Sequence, residues 1–401
     1  MIAEKKKQMV PQLRFSEFDG EWERKKLGEL AVVKRGAGSQ YIDYINNSKD
    51  GIRLIRIGDF LGSEAVYVKK TNEIQRFLLN PNDILIAGTG ATAGITFLIP
   101  EEFVGHAYSY NAPKITVIDS NEKFITFYLK CPIITRQQQR LFTGNAQPFL
   151  DTKSIRNFKI SIPKLQEQQK IASFLTAVDK KIQQLTTKKE HLENYKKGVM
   201  QQLFSQQLRF KDEDGNDFPD WKSVRGNVLF DNISDKNHNS DLPILAITQD
   251  QGAVPRELIN YQMVVTDKSV ASYKVVQVGD FVISLRTFQG GIEYSNYHGI
   301  CSPAYVILRP SSDNVNRDFY KAYLKTASYI KQLQKNLEGI RDGKMISYKY
   351  FSEIKLPFPS PEEQQKIAAY LGSLDAKIES VAGQIAKTEE FKKGLLQQLF
   401  V

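Results

Sequence analysis

A stretch of 46 residues occurs twice in this chain, and it constrains the fold more than any other feature. The first copy, KISIPKLQEQQKIASFLTAVDKKIQQLTTKKEHLENYKKGVMQQLF, runs from Lys159 to Phe204. The second, KLPFPSPEEQQKIAAYLGSLDAKIESVAGQIAKTEEFKKGLLQQLF, runs from Lys355 to Phe400. They align without a gap at a constant offset of 196, and 20 of the 46 positions are identical. A repeat this regular sets the architecture before any other reading begins. In each copy a proline, Pro163 or Pro359, ends what precedes it. Apolar residues then recur at alternating steps of four and three: Ile171, Leu175, Val178, Ile182 and Leu185 in one copy, Ile367, Leu371, Leu374, Ile378 and Val381 in the other. This narrow seam predicts a long helix with coiled-coil spacing. A helix of about 40 residues is roughly 60 Å long. It cannot bury such a seam alone. Two arrangements stay open: the two seams bury each other, or each helix packs on its neighbouring domain.

Around the repeats the chain divides into 1–158, 159–207, 208–354 and 355–401. Residues 52–60, 82–88 and 112–119 are short, rich in Ile and Val, and bounded by Gly, Asn or Asp, which predicts strands. Residues 123–130 and the IITRQQQRLF segment after them predict helices. The same order returns after the first long helix. Arg14-Phe15 is echoed by Arg209-Phe210, Glu21-Trp22 by Asp220-Trp221, and NDILIAGTGATAG (82–94) by GDFVISLRTFQGG (279–291). The order is therefore domain, helix, domain, helix. The helices are closely alike and the domains only loosely so. Helices that must fit each other, or identical partners, are held similar; domains that read different things diverge.

The net charge of +10 is uneven. Residues 1–158 carry 22 Lys+Arg against 17 Asp+Glu, and 159–204 carry 9 against 4. Residues 205–354 balance at 18 and 18, and 355–401 at 6 and 6. The basic half suits a polyanion such as DNA. The neutral half leaves room for charge supplied by a partner. Two cysteines, Cys131 and Cys301, are too few for a disulfide framework or a zinc site. No apolar run approaches the length that crosses a bilayer, and the opening MIAEKKKQMV is too polar for a signal peptide. A cytoplasmic protein without membrane contact is expected.

The chain lacks the motifs of an enzyme acting alone. An adenine methyltransferase needs Asn/Asp-Pro-Pro-aromatic; the nearest segments, Asn111-Ala112-Pro113-Lys114 and Ser302-Pro303-Ala304-Tyr305, lack the paired prolines. The glycine-rich run Gly88 to Gly94 has no lysine placed for a nucleotide loop. His106, His191, His238 and His298 show no metal-ligand spacing. No catalytic residue and no metal site is assigned.

Taken together, the motifs resemble those of the specificity subunit of type I restriction–modification systems. They are Pro-x3-Glu-Gln-Gln-Lys-Ile-Ala (163–172 and 359–368), Asp-x-Lys-Ile (179–182 and 375–378) and Lys-Lys-Gly-x2-Gln-Gln-Leu-Phe (196–204 and 392–400). The opening Leu-Arg-Phe-x2-Phe-x-Gly-x-Trp (13–22) and the Asp-led strand–loop–Gly units (82–94 and 279–291) join them. The resemblance implies an α+β fold: two α/β target-recognition domains separated by two long helices that pair as an antiparallel coiled coil, with a pseudo-twofold internal repeat. It implies that each domain reads one half of a split site in double-stranded DNA, and that the helices set the spacer. It implies assembly with two adenine-methyltransferase subunits and two ATP-dependent restriction subunits. The chain itself would hold no cofactor, with S-adenosylmethionine, ATP and Mg on those partners. A coiled-coil scaffold that binds protein only is the alternative.

Loops after strands are where base-reading side chains usually lie. In the first domain the candidates are Thr89 and Thr92, then Asn145 and Gln147 before the long helix. In the second they are Arg286, Thr287 and Gln289, then Arg341 and Lys344. Arginine pairs bidentately with guanine and glutamine with adenine. Ordinary surface turns remain the alternative for each. The repeated helix ends are candidate partner-binding residues: Lys196, Lys197, Gln201, Gln202 and Phe204, and Lys392, Lys393, Gln397, Gln398 and Phe400. Two copies of one partner would impose such identity; an undrifted duplication would also leave it.

Overall fold

The computed structural model describes residues 9–46, 49, 51–143, 147–239, 241–259, 270–335 and 346–401. Two compact units emerge: residues 1–186 with 383–401, and residues 187–382. The two long helices span Leu165–Phe204 and Pro361–Gln398, so each contributes one part to each unit. Proline at the first turn of the second helix loses no backbone bond, because its missing N–H would be unpaired there anyway.

In the first unit a four-stranded antiparallel sheet has the order Ala31–Lys34, Lys114–Val117, Ile84–Ile86, Thr96–Leu98. The second unit has the same antiparallel order: Phe230–Ile233, Val306–Pro310, Phe281–Ile283, Glu293–Tyr294. Three helices follow in each: Glu122–Leu129, Pro132–Phe142 and Thr152–Arg156, against Arg317–Tyr323, Ala327–Lys335 and Tyr348–Glu353. A strand pair closes each unit before its long helix, Glu23–Lys26 with Lys159–Ile162 and Lys222–Arg225 with Lys355–Phe358. The units differ in their second layer. The first has a four-stranded sheet of Tyr44–Ile45, Tyr67–Lys69, Gly51–Ile55 and Ala107–Tyr108. The second has two separate antiparallel pairs, the hairpin Leu245–Thr248 with Gly252–Pro255, and Lys274–Val276 with the later strand Gly299–Cys301.

The helix seams do two jobs. In the first unit Ile171, Leu175 and Val178 share one core with Phe124 and Tyr128 of the domain and with Leu395 and Leu399 of the other long helix. In the second, Ile367, Leu371 and Leu374 share a core with Phe319, Tyr320, Val199 and Leu203. Within each unit the helix segments run antiparallel, and both burial arrangements left open by the seam occur together. Among the described residues no helix is long and apolar enough to cross a membrane.

Candidate nucleic-acid interface

Each unit contains the same buried anchor. The Arg14 guanidinium donates from Nε and Nη2 to Glu167, both at 2.8 Å, and Trp22 Nε1 donates to the same carboxylate at 3.3 Å. In the second unit Arg209 donates to Glu363 at 3.0 and 2.8 Å, and Trp221 Nε1 at 2.8 Å. The two carboxylate side chains are 3% and 0% exposed. A buried charge is tolerated only when paired and hydrogen-bonded. Glu363 answers by holding the Arg209 guanidinium above its ordinary pKa, chiefly through the hydrogen bond. The next residue of the motif also faces inward. Gln168 Oε1 accepts from Asn121 N, and Asn121 caps the helix Glu122–Leu129; Gln364 Oε1 accepts from Asn316 N, which caps Arg317–Tyr323. The Glu-Gln of the repeat therefore fastens each domain to its long helix.

A second buried acid precedes the strand that leads into each candidate loop. Asp83 accepts from Asn80 N at 2.7 Å and pairs with Lys114 Nζ at 2.9 Å. Asp280 accepts from Gln277 N at 2.7 Å and bidentately from Arg309 at 2.7 and 2.8 Å. These pairs fix the turn that enters the strands Ile84–Ile86 and Phe281–Ile283, after which the candidate loops follow.

In the first unit the loop after Asp83 borders a cleft of about 700 Å³. Thr89 and Thr92 line it together with Gln40, Arg56, Tyr110 and Asn111. Gly90 has φ +78° and donates its N–H to Pro148 O at 3.1 Å, which brings exposed Gln147 beside the loop. Arg35 lies over the rings of Tyr110 and Phe149, 4.4 and 5.2 Å from their centroids. Tyr44, Tyr110 and Phe149 are exposed aromatics. Cations and amides interleaved with exposed rings suit a nucleic acid. The sequence reading missed Gln40, Arg35, Tyr110 and Asn111, because they come from two segments, 35–40 and 110–111, that only the fold brings to the loop. A second groove in this unit, about 650 Å³, is lined by Arg24, Arg136, Arg140 and Lys159 with Gln137, Ser154 and Asn157. Among the described residues none of those four cations is in an ion pair.

In the second unit the matching loop carries Arg286 and Gln289, both exposed. Thr287 is a correction. It is 1% exposed, and its hydroxyl accepts from Ser284 N at 2.8 Å, so it shapes the turn and is not presented to a ligand. Spacing along a loop does not tell which residue turns inward. Asn145, Arg341 and Lys344 lie outside the described residues.

The repeated helix ends separate into two sets. Phe204 stacks edge-on against Phe319 and Tyr323, and Phe400 packs against Phe124 and Tyr128. Lys196 pairs with Asp375, and Lys392 with Asp179. Internal packing accounts for these four. Lys197, Gln201 and Gln202, and Lys393, Gln397 and Gln398, have exposed side chains. Among the described residues no cluster of three or more His, Cys, Asp or Glu has the arrangement of a metal site.

The family model for the type I restriction modification DNA specificity domain matches this chain twice, at residues 19–194 and 222–390. The chain is 26% identical over 420 residues to the type I restriction enzyme MjaVIII specificity subunit of Methanocaldococcus jannaschii, covering 98% of this chain and 96% of that one. It is 25% identical over 422 residues to the putative MjaX specificity subunit of the same organism, with the same coverage. Among solved structures, the S subunit of a type I restriction–modification system from M. genitalium aligns with a TM-score of 0.57 at 16% identity, covering 98% of this chain and 99% of that one. A chain from a structure describing complex assembly and conformational transition of the type I R-M system aligns with a TM-score of 0.55 at 20% identity, covering 94% and 96%. At these identities the structural likeness is one of fold. The family match falls once on each copy of the internal repeat, and the chain belongs to the DNA specificity subunits of type I restriction–modification systems, which recognise DNA and do not catalyse.

Proposed function

We propose that the two units read the two halves of a bipartite DNA site separately, and that the long helices set the spacer between them. The single observation that carries this reading is the contrast between scaffold and loop. The Arg–Glu–Trp anchor and the first sheet recur in both units, whereas Thr89 and Thr92 are replaced at matching positions by Arg286 and Gln289. One scaffold with two different loops is what two different half-sites require. In the first unit Thr89, Thr92, Gln147, Gln40 and Asn111 would face bases, with Arg35 and the Arg24–Arg140 groove on phosphates. In the second, Arg286 and Gln289 would face bases.

The exposed identities Lys197, Gln201 and Gln202, with Lys393, Gln397 and Gln398, would dock two copies of an adenine-methyltransferase subunit, and the full complex would add two ATP-dependent restriction subunits in the cytoplasm. S-adenosylmethionine, ATP and Mg would belong to those partners. The test is methylation by the assembled complex on DNA randomised at both half-sites. Arg286→Ala should relax one position of one half-site by about 1–3 kcal/mol and leave the other half unchanged. An equal loss on every sequence would instead make Arg286 a phosphate contact.

A further inference from the structure

The second unit's reading loop is held from behind by one amine. Lys325 Nζ donates to Gly290 O at 3.0 Å, to Gln249 O at 3.2 Å and to Glu293 Oε1 at 2.5 Å. All three ammonium donors are thereby engaged. Glu293 is buried and its Oε2 has no hydrogen-bond partner among the described residues; burial pushes its carboxyl up while Lys325 draws it back. Gln249 extends the network to the loop, its Nε2 donating to Arg286 O and to Gln289 Oε1, both at 3.4 Å. The loop also lies close against the chain just before Lys325. Gly291 has φ +83°, and a Cβ there would lie 2.3 Å from Leu324 O.

The first unit holds its loop differently. Among the described residues Lys130, at the position matching Lys325, makes no hydrogen bond to the loop. Instead Gln138 Nε2 donates to Gly94 O at 3.3 Å, and the position matching Gln138 is the buried Leu333.

We propose that Lys325 and Gln249 are positioning residues for sequence recognition by the second unit: they fix the backbone from which Arg286 and Gln289 project. The inference rests on the proposed reading in which that loop contacts bases. Bidentate pairing to a base needs the guanidinium held in plane and in register. A loop anchored at Gly290 O and Arg286 O meets that need, and one freed at both points does not. An arginine at 325 keeps the charge, but its planar fork does not match three acceptors arranged around one nitrogen.

The experiment compares assembled complexes carrying Lys325→Met, Gln249→Leu, Arg286→Ala or Gln138→Leu on DNA randomised at both half-sites, with methylated sites read by sequencing. Gln249 is exposed, so Gln249→Leu guards against a variant that does not fold. The expected result is that Lys325→Met and Gln249→Leu lower base preference about fivefold or more at the positions that Arg286→Ala affects. Gln138→Leu should affect only the other half-site. If Arg286→Ala relaxes a half-site while Lys325→Met and Gln249→Leu keep full preference, the inference is overturned and the reading stands. If Gln249→Leu relaxes the half-site while Arg286→Ala changes nothing, positioning stands and Arg286 is not the reader. A uniform fall on all sequences for Lys325→Met and Gln249→Leu would assign them a merely structural role and overturn the inference.

Discussion

Lys392 Nζ lies 2.6 Å from Asp179 Oδ1, and the repeat makes the same pair in the other unit, where Lys196 Nζ lies 2.5 Å from Asp375 Oδ1. Each residue of the second pair is its counterpart shifted by 196 positions, with the helices exchanged. Each long helix therefore gives the acid to one pair and the lysine to the other. Both pairs are partly exposed, so each is worth little by itself. A double-mutant cycle on either pair in the intact chain is expected to give a coupling of about 0.2–1 kcal/mol that shrinks in 1 M salt. Denaturant melts of the four variants measure it. A coupling present in one pair and absent in the other would break the equivalence.

The Arg209–Glu363–Trp221 anchor is a different case, because Glu363 is fully buried. Arg209→Leu strands a buried carboxylate, and the expected cost is about 3–5 kcal/mol. Trp221→Phe removes only one donor and should cost about 1 kcal/mol. Chemical denaturation followed by circular dichroism gives both numbers. Equal small losses would mean that Glu363 is solvated or protonated without its arginine.

Gly198 and Gly394 are identical in the two copies and lie within the long helices, yet among the described residues a Cβ at either would meet no atom within 4 Å beyond its own helix backbone. Glycine in a helix interior costs about 1 kcal/mol relative to alanine. Nothing inside the molecule requires that sacrifice, whereas close approach of a docked partner would. Gly198→Ala with Gly394→Ala is expected to stabilise the free chain by about 1–2 kcal/mol in total and to weaken assembly with the methyltransferase subunit. Thermal melting and sedimentation of the mixed subunits read the two effects. Unchanged assembly would remove the glycines from the docking surface.

Much of this was legible in the residues. The seams from Ile171 and Ile367 specified both long helices, and the echo of 82–94 in 279–291 marked the matching strand-and-loop units, Ile84–Ile86 and Phe281–Ile283 with the loops after them. The Arg–Glu–Trp anchor was less visible, although all three residues stood in quoted motifs. Arg14 and Glu167 are 153 positions apart, so no local pattern joins them; the signal was that the three motifs recur together. Thr287 was misread because a loop residue's direction depends on the turn, here set by the Ser284 amide. Phe204 and Phe400 looked like partner contacts because identity between copies does not separate an internal demand from an external one. The cleft of Gln40, Arg56, Tyr110 and Asn111 assembles segments that no spacing connects.

The claim that the helices set the distance between two separately read half-sites has one direct test. Residues 183–190 are helical and mostly exposed. Four helical residues added there lengthen the helix by about 6 Å and turn it by roughly 40° beyond a full turn. A base pair rises about 3.4 Å, and the offset heptad seam absorbs part of the shift. The measurement is methylation mapping, with the modification partner, on DNA that varies only the spacer. The expected result is two unchanged half-sites separated by about one more base pair than the native chain accepts. An unchanged spacer at full activity, or changed half-site bases, would contradict the account.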